Sequence, residues 1–89
     1  MTGERLADGE IAAHPFQPGA YGRVPHSDDG GFDWYGCTPN GHLCNFRAHE
    51  VVEHEDDTIT VSPSILVYGG KDGAEVWHGW LEHGVWRSV

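Results

Sequence analysis

The stretch from Glu75 to Val89 constrains the fold more than any other. Val76-Trp77-His78-Gly79-Trp80-Leu81 runs into Glu82-His83-Gly84 and returns as Val85-Trp86-Arg87-Ser88-Val89. Two β-branched and aromatic runs around a two-residue turn are a hairpin signal. A turn at His83-Gly84 needs φ > 0 at both residues. Gly84 takes that freely, and His83 tolerates it better than most. This register pairs Glu82 with Val85, Leu81 with Trp86, Trp80 with Arg87 and His78 with Val89. Side chains alternate across a strand. Trp77, Leu81 and Trp86 then share one face with Gly79, and that face is the predicted core. Val76, His78, Trp80, Val85, Arg87 and Val89 share the other, where Arg87 can stack on Trp80.

Upstream, Thr58-Ile59-Thr60-Val61 and Ser64-Ile65-Leu66-Val67-Tyr68 read as strands by β-branching and aromatic content. Pro63 between them cannot donate to a ladder, so it bends the strand or marks an edge. Gly69-Gly70 closes the second run, and Lys71-Asp72-Gly73 is turn chemistry. The expected fold is mainly β: a small single domain with an antiparallel sheet from residues 58–61, 64–68, 75–81 and 85–89. Its C-terminal hairpin is tryptophan-rich, and aromatic-anchored loops cover it.

At 89 residues the chain has room for one core. Four Trp, three Tyr and three Phe help to fill it, because each can bury roughly 150–250 Å². Thirteen glycines and five prolines predict many turns and little helix. Residues 1–13 read as a loose arm, or an edge strand around Glu10-Ile11-Ala12-Ala13. Residues 14–45 are an aromatic, Gly- and Pro-rich loop region with short strands at 20–24 and 32–35. Ser27-Asp28-Asp29-Gly30-Gly31 is the turn between those two. Residues 46–89 make the sheet region, although 46–54 fits either a strand or two helical turns. No apolar run approaches the ~20 residues of a membrane span. The start has no apolar signal core, which favours the cytoplasm of a host cell, or a virion.

The net charge of −9 excludes the basic stripe that a nucleic-acid binder needs. It suits solubility, or a basic protein partner. Glu53, Glu55, Asp56 and Asp57 are the partner-facing candidates, and self-association is left open. Two cysteines are too few for a disulfide framework. Cys37 and Cys44 with His42 between them could hold zinc if His78, His49 or His54 supplied a fourth ligand. A Cys37–Cys44 bridge and free buried thiols are the other readings. His49-Glu50-Val51-Val52-Glu53-His54 misses both metalloprotease spacings. Ser62 and Ser64 have no evident base, so no catalytic residue is assigned.

Thr58-Ile59-Thr60-Val61-Ser62-Pro63-Ser64-Ile65 followed by Val76-Trp77-His78-Gly79-Trp80-Leu81-Glu82-His83-Gly84 resembles a family of short bacteriophage and bacterial proteins. Its members often carry the label "ammonia monooxygenase", for which these residues give no support. Pro63, Ser64, Ile65, His78 and Gly84 match the pattern best. Cys37 and His42 match its front Cys/His cluster loosely. Trp77 stands where the family has Cys, and Asn40 stands near an expected second front cysteine. If the pattern implies zinc, Cys44 would have to substitute. The expectation is a non-enzymatic accessory or interaction protein, phage-encoded, acting in virion assembly or on a host factor. The alternative is a zinc-stabilised or zinc-dependent enzyme.

Overall fold

The computed structural model describes residues 1–69 and 71–89. Gly70, the second residue of the pair read as closing the 64–68 strand, lies outside them. Strands are β1 (Glu4–Arg5), β2 (Ala20–Pro25), β3 (Phe32–Cys37), β4 (Leu43–Asn45), β5 (Glu50–Glu53), β6 (Ile59–Tyr68), β7 (Glu75–Glu82) and β8 (Val85–Ser88). A single helical turn, α1, spans Glu10–Ala13. They form two four-stranded sheets, β1-β2-β3-β4 and β5-β6-β7-β8. All pairings are antiparallel except β1 with β2. The domain is mainly β, as expected, but residues 20–45 build a second sheet instead of only covering the first. Segment 46–54 resolves as a turn followed by β5.

The C-terminal hairpin has the expected register: Glu82↔Val85, Leu81↔Trp86 and Trp80↔Arg87. His83 and Gly84 both have positive φ, 46° and 74°. The Val89 N–H donates to the His78 carbonyl at 3.0 Å. Trp77, Leu81 and Trp86 are buried together with Tyr21, Trp34, Phe46, Ile59, Val61, Ile65 and Val67. This is the core between the sheets. Arg87 lies 5.1 Å above the Trp80 ring on the outer face.

Strands 58–61 and 64–68 are one strand, β6, in the middle of its sheet. Pro63 is tolerated there because the ladder lets go of it. On the β7 side, pairing jumps from Val61↔Leu81 to Ile65↔Gly79. On the β5 side it stops at Glu50↔Ser62. Neither neighbour asks Pro63 for the N–H it lacks.

The N-terminal arm differs from its sequence reading. Its strand is Glu4–Arg5, and Glu10–Ala13 is helical. The arm is held at both ends. Thr2 bridges Val85, and the Gly3 N–H donates to the Gly84 carbonyl at 2.7 Å. Arg5 then pairs with Tyr21. One short segment thus stitches the edge of each sheet to the other. Beyond it, Ile11 is buried on the outer side of β2, where Gly22 lacks a side chain and lets the Leu6 carbonyl and the Ile11 side chain approach. Phe16, in the 14–45 region expected to be anchored by its aromatics, is exposed.

Candidate functional site

The β2–β3 connection gathers the titratable side chains that converge best. Pro25↔Phe32 is the last paired position, and the His26 N–H donates to the Gly31 carbonyl at 2.7 Å. The loop between is short, acidic and closed by glycines. Gly30 takes φ 74°. The Asp29 carboxylate accepts the Gly31 N–H at 2.8 Å, a local Asx-type closure. This turn brings His26, Asp28 and Asp29 together, with ligand-type atoms within 4.8 Å of one another. Such a His/Asp/Asp cluster could coordinate a metal ion. Among the described residues it is the one set of three that does so.

Asp33 completes the arrangement from β3. His26 Nδ1 sits 2.9 Å from an Asp29 oxygen, and Nε2 sits 3.0 Å from an Asp33 oxygen. Ionised carboxylates only accept, so the ring donates on both sides. Hydrogen bonds to Asp33 and then Asp29 raise the His26 pKa above its ordinary 6.5. In return His26 holds the Asp33 carboxyl below the usual range, and Arg47 Nη2, at 3.3 Å, assists. Asp29 is lowered first by the Gly31 N–H and then by His26. The cluster is therefore an imidazole braced between two carboxylates, with Asp28 beside it.

The sequence-predicted metal residues are not brought together. Gly36 faces Cys44 across β3 and β4, and Cys37 faces Leu43. Opposed residues share a sheet face, and successive residues alternate. Cys44 therefore packs on the main core, while Cys37 is buried on the opposite face. Both are free thiols, so the bridge reading falls too. The loop between them is pinned without an ion. The Thr38 hydroxyl accepts the His42 N–H at 3.0 Å, and Asn40 Nδ2 donates to the Val76 carbonyl at 2.9 Å. His78 is engaged elsewhere, with Nε2 3.2 Å from Ser64 Oγ. Ser64 thus has a neighbouring base that the sequence reading missed. The contact is a cross-strand hydrogen bond between β7 and β6.

Burial pushes the Cys44 thiol up to about 12 and raises Cys37 as well. Thiolate is the reactive form, and at pH 8 it is roughly one part in ten thousand of such a group. Iodoacetamide should therefore leave both thiols of the native protein unmodified and label both in denaturant. Rapid native labelling, read by mass spectrometry, would show that one sulfur is accessible.

The acidic candidates divide. Glu53 pairs with Arg5 at 2.9 Å and lies 3.7 Å from Arg23. The Asp56 carboxylate accepts the Thr58 N–H and hydroxyl at 3.1 and 2.6 Å. Asp57 takes φ 68°, and its carbonyl accepts from Arg5 at 3.3 Å. These three shape the β5–β6 turn and hold the arm. Glu55 is exposed. All four arginines face carboxylates: Arg5 meets Glu53, Arg23 meets Asp8, Arg47 meets Asp33 and Arg87 meets Glu82. The charge left over for solvent is acidic.

No protein-family model, curated protein or solved structure matches the chain. Among the described residues, no helix is long and apolar enough to cross a membrane.

Proposed function

We propose that the protein is a small non-enzymatic accessory domain that takes a divalent cation, zinc first, at the β2–β3 turn. The observation that carries this reading is the convergence of His26, Asp28 and Asp29 ligand atoms within 4.8 Å. One imidazole and carboxylates suit zinc among the divalent ions. The residues fit the role. His26 would offer Nδ1, the nitrogen that faces Asp29, in place of its proton. Nε2–H would stay on Asp33, the outer hydrogen bond that metal-bound histidines commonly keep. Bound metal would supply a fixed positive charge among three carboxylates. The protein's own part is to hold the ring and close the turn.

The accessory role rests on the resemblance carried by Pro63, Ser64, Ile65, His78 and Gly84, which brings a phage-like context. The partner is a protein with a basic surface, because the arginines are already matched by carboxylates. Such a complex would weaken with salt.

Asp28 is the residue with which to test the site. Asp29 also closes the turn, whereas the Asp28 side chain makes no hydrogen bond among the described residues. Calorimetric zinc titration should give one site in the wild type. Asp28→Asn should weaken it by about tenfold or more, while Asp72→Asn, far along the chain, should not. Equal affinity in wild type and Asp28→Asn, or no uptake at all, would sink the metal reading.

A further inference from the structure

Val76 is the extra residue of a bulge in β7. The ladder to β6 steps from Val67↔Trp77 to Tyr68↔Glu75, so Val76 has no partner across it. Its carbonyl is met from the other sheet, where Asn40 Nδ2 donates to it at 2.9 Å. Asn40 belongs to the loop between β3 and β4, residues 38–42. The same amide is held at its other end, because the Thr38 hydroxyl donates to Oδ1 at 2.5 Å. Thr38 is fully buried, and its hydroxyl oxygen also accepts the His42 N–H. Asn40 is thus a tie between the two sheets, although it is itself exposed.

The residue after Asn40 is Gly41, and the chain has one other asparagine, Asn45, followed by Phe46. An Asn-Gly pair is chemically labile, because no side chain keeps the glycine nitrogen from the Asn Cγ. Here a bond from the Gly41 nitrogen to Asn40 Cγ would form, and the bond from Cγ to Nδ2 would break. Nδ2 leaves as ammonia and takes the Gly41 proton with it. Water then opens the cyclic imide at either carbonyl, giving aspartate or isoaspartate. The fold blocks the first step twice. The Gly41 N–H is donated to the Thr38 carbonyl at 2.9 Å, closing a β-turn over Pro39 and Asn40. Cγ is held in place by both hydrogen bonds of its own amide. The product cannot restore the tie. A carboxylate has no donor for the Val76 carbonyl, and isoaspartate lengthens the loop backbone.

We propose that Asn40 is a deamidation site sealed by the fold: it converts only while the 38–42 loop is open, and conversion then keeps that loop from docking on β7. The test compares the full chain, folded and in guanidinium chloride, in the same mildly alkaline buffer. Peptide mass spectrometry follows both asparagines. In denaturant Asn40 should convert, while Asn45, with its bulky neighbour, should persist. In the folded protein Asn40 should convert at least about tenfold more slowly, since the reaction waits on local opening. Thr38→Val, shown to be folded by circular dichroism, should raise the native rate toward the denatured one. Asn40→Asp should speed hydrogen exchange at the Gly41 and His42 amides and not at Leu81 in the core. Comparison of the folded and denatured wild type needs no variant to fold. Equal conversion in the two states, none in denaturant, no acceleration in folded Thr38→Val, or unchanged exchange in Asn40→Asp would overturn the proposal.

Discussion

Replacing Trp86 by alanine should remove a large share of the domain's stability. Trp86 is 2 % exposed and touches both halves of the molecule. Its indole meets Trp77 edge-on at 5.5 Å and Phe46 at 6.4 Å. Its Nε1–H donates to the Gly19 carbonyl at 2.8 Å, beside the start of β2. Its backbone N–H donates to the Met1 carbonyl at 2.8 Å, so the arm docks on the same residue. Truncating a buried Trp costs about 3–5 kcal/mol, and here the Gly19 carbonyl also loses one of its two donors, keeping the Glu4 N–H. Small domains have about 5–15 kcal/mol in total. The measurement is urea unfolding followed by far-UV circular dichroism. A midpoint close to that of the wild type would mean that the core does not converge on Trp86.

Trp86 is also where the sequence was most legible. A two-residue turn with positive φ at both positions admits one register, and that register decides which face each side chain takes. Leu81, Trp77 and Trp86 followed without knowledge of anything outside residues 75–89. The rest of the fold depends on contacts that no local pattern announces. Arg5 pairing parallel with Tyr21, and Thr2 bridging Val85, join positions far apart in the chain. Ile11 looked like the centre of an edge strand because its burial under α1 depends on Gly22, eleven residues later. The candidate sites show the same division. Cys37, His42 and Cys44 are close in sequence, but alternation across β3 and β4 sends the two sulfurs to opposite faces. His26 and Asp33 are seven apart and gave no motif. They meet because Pro25↔Phe32 closes a hairpin beneath them.

Gly79→Ala should be the most damaging of the small changes, although Gly79 has no positive φ to protect. Its role is space. Trp77 and Gly79 are two apart on one strand and share the inner face, and the Trp77 indole folds back over the glycine. A methyl there would lie 2.8 Å from Trp77 Cζ2 and would run into the Arg87 carbonyl across the hairpin. An indole can turn, but it would then press on Trp86, its edge-to-face neighbour. The carbonyl belongs to the β7–β8 ladder, beside the Gly79↔Ser88 pair, and cannot move without opening it. Overpacking a filled core costs about 1–3 kcal/mol, and a backbone clash puts this case at the upper end or beyond. Gly69→Ala is the matching control. It has no positive φ either, and its added methyl would meet Val76 Cγ2 at a comfortable 3.8 Å. Thermal melts should therefore separate the two variants by several degrees, with Gly69→Ala near the wild type. If both melt together, the Trp77 ring does not lie over Gly79, and the inner face of the hairpin is packed in some other way.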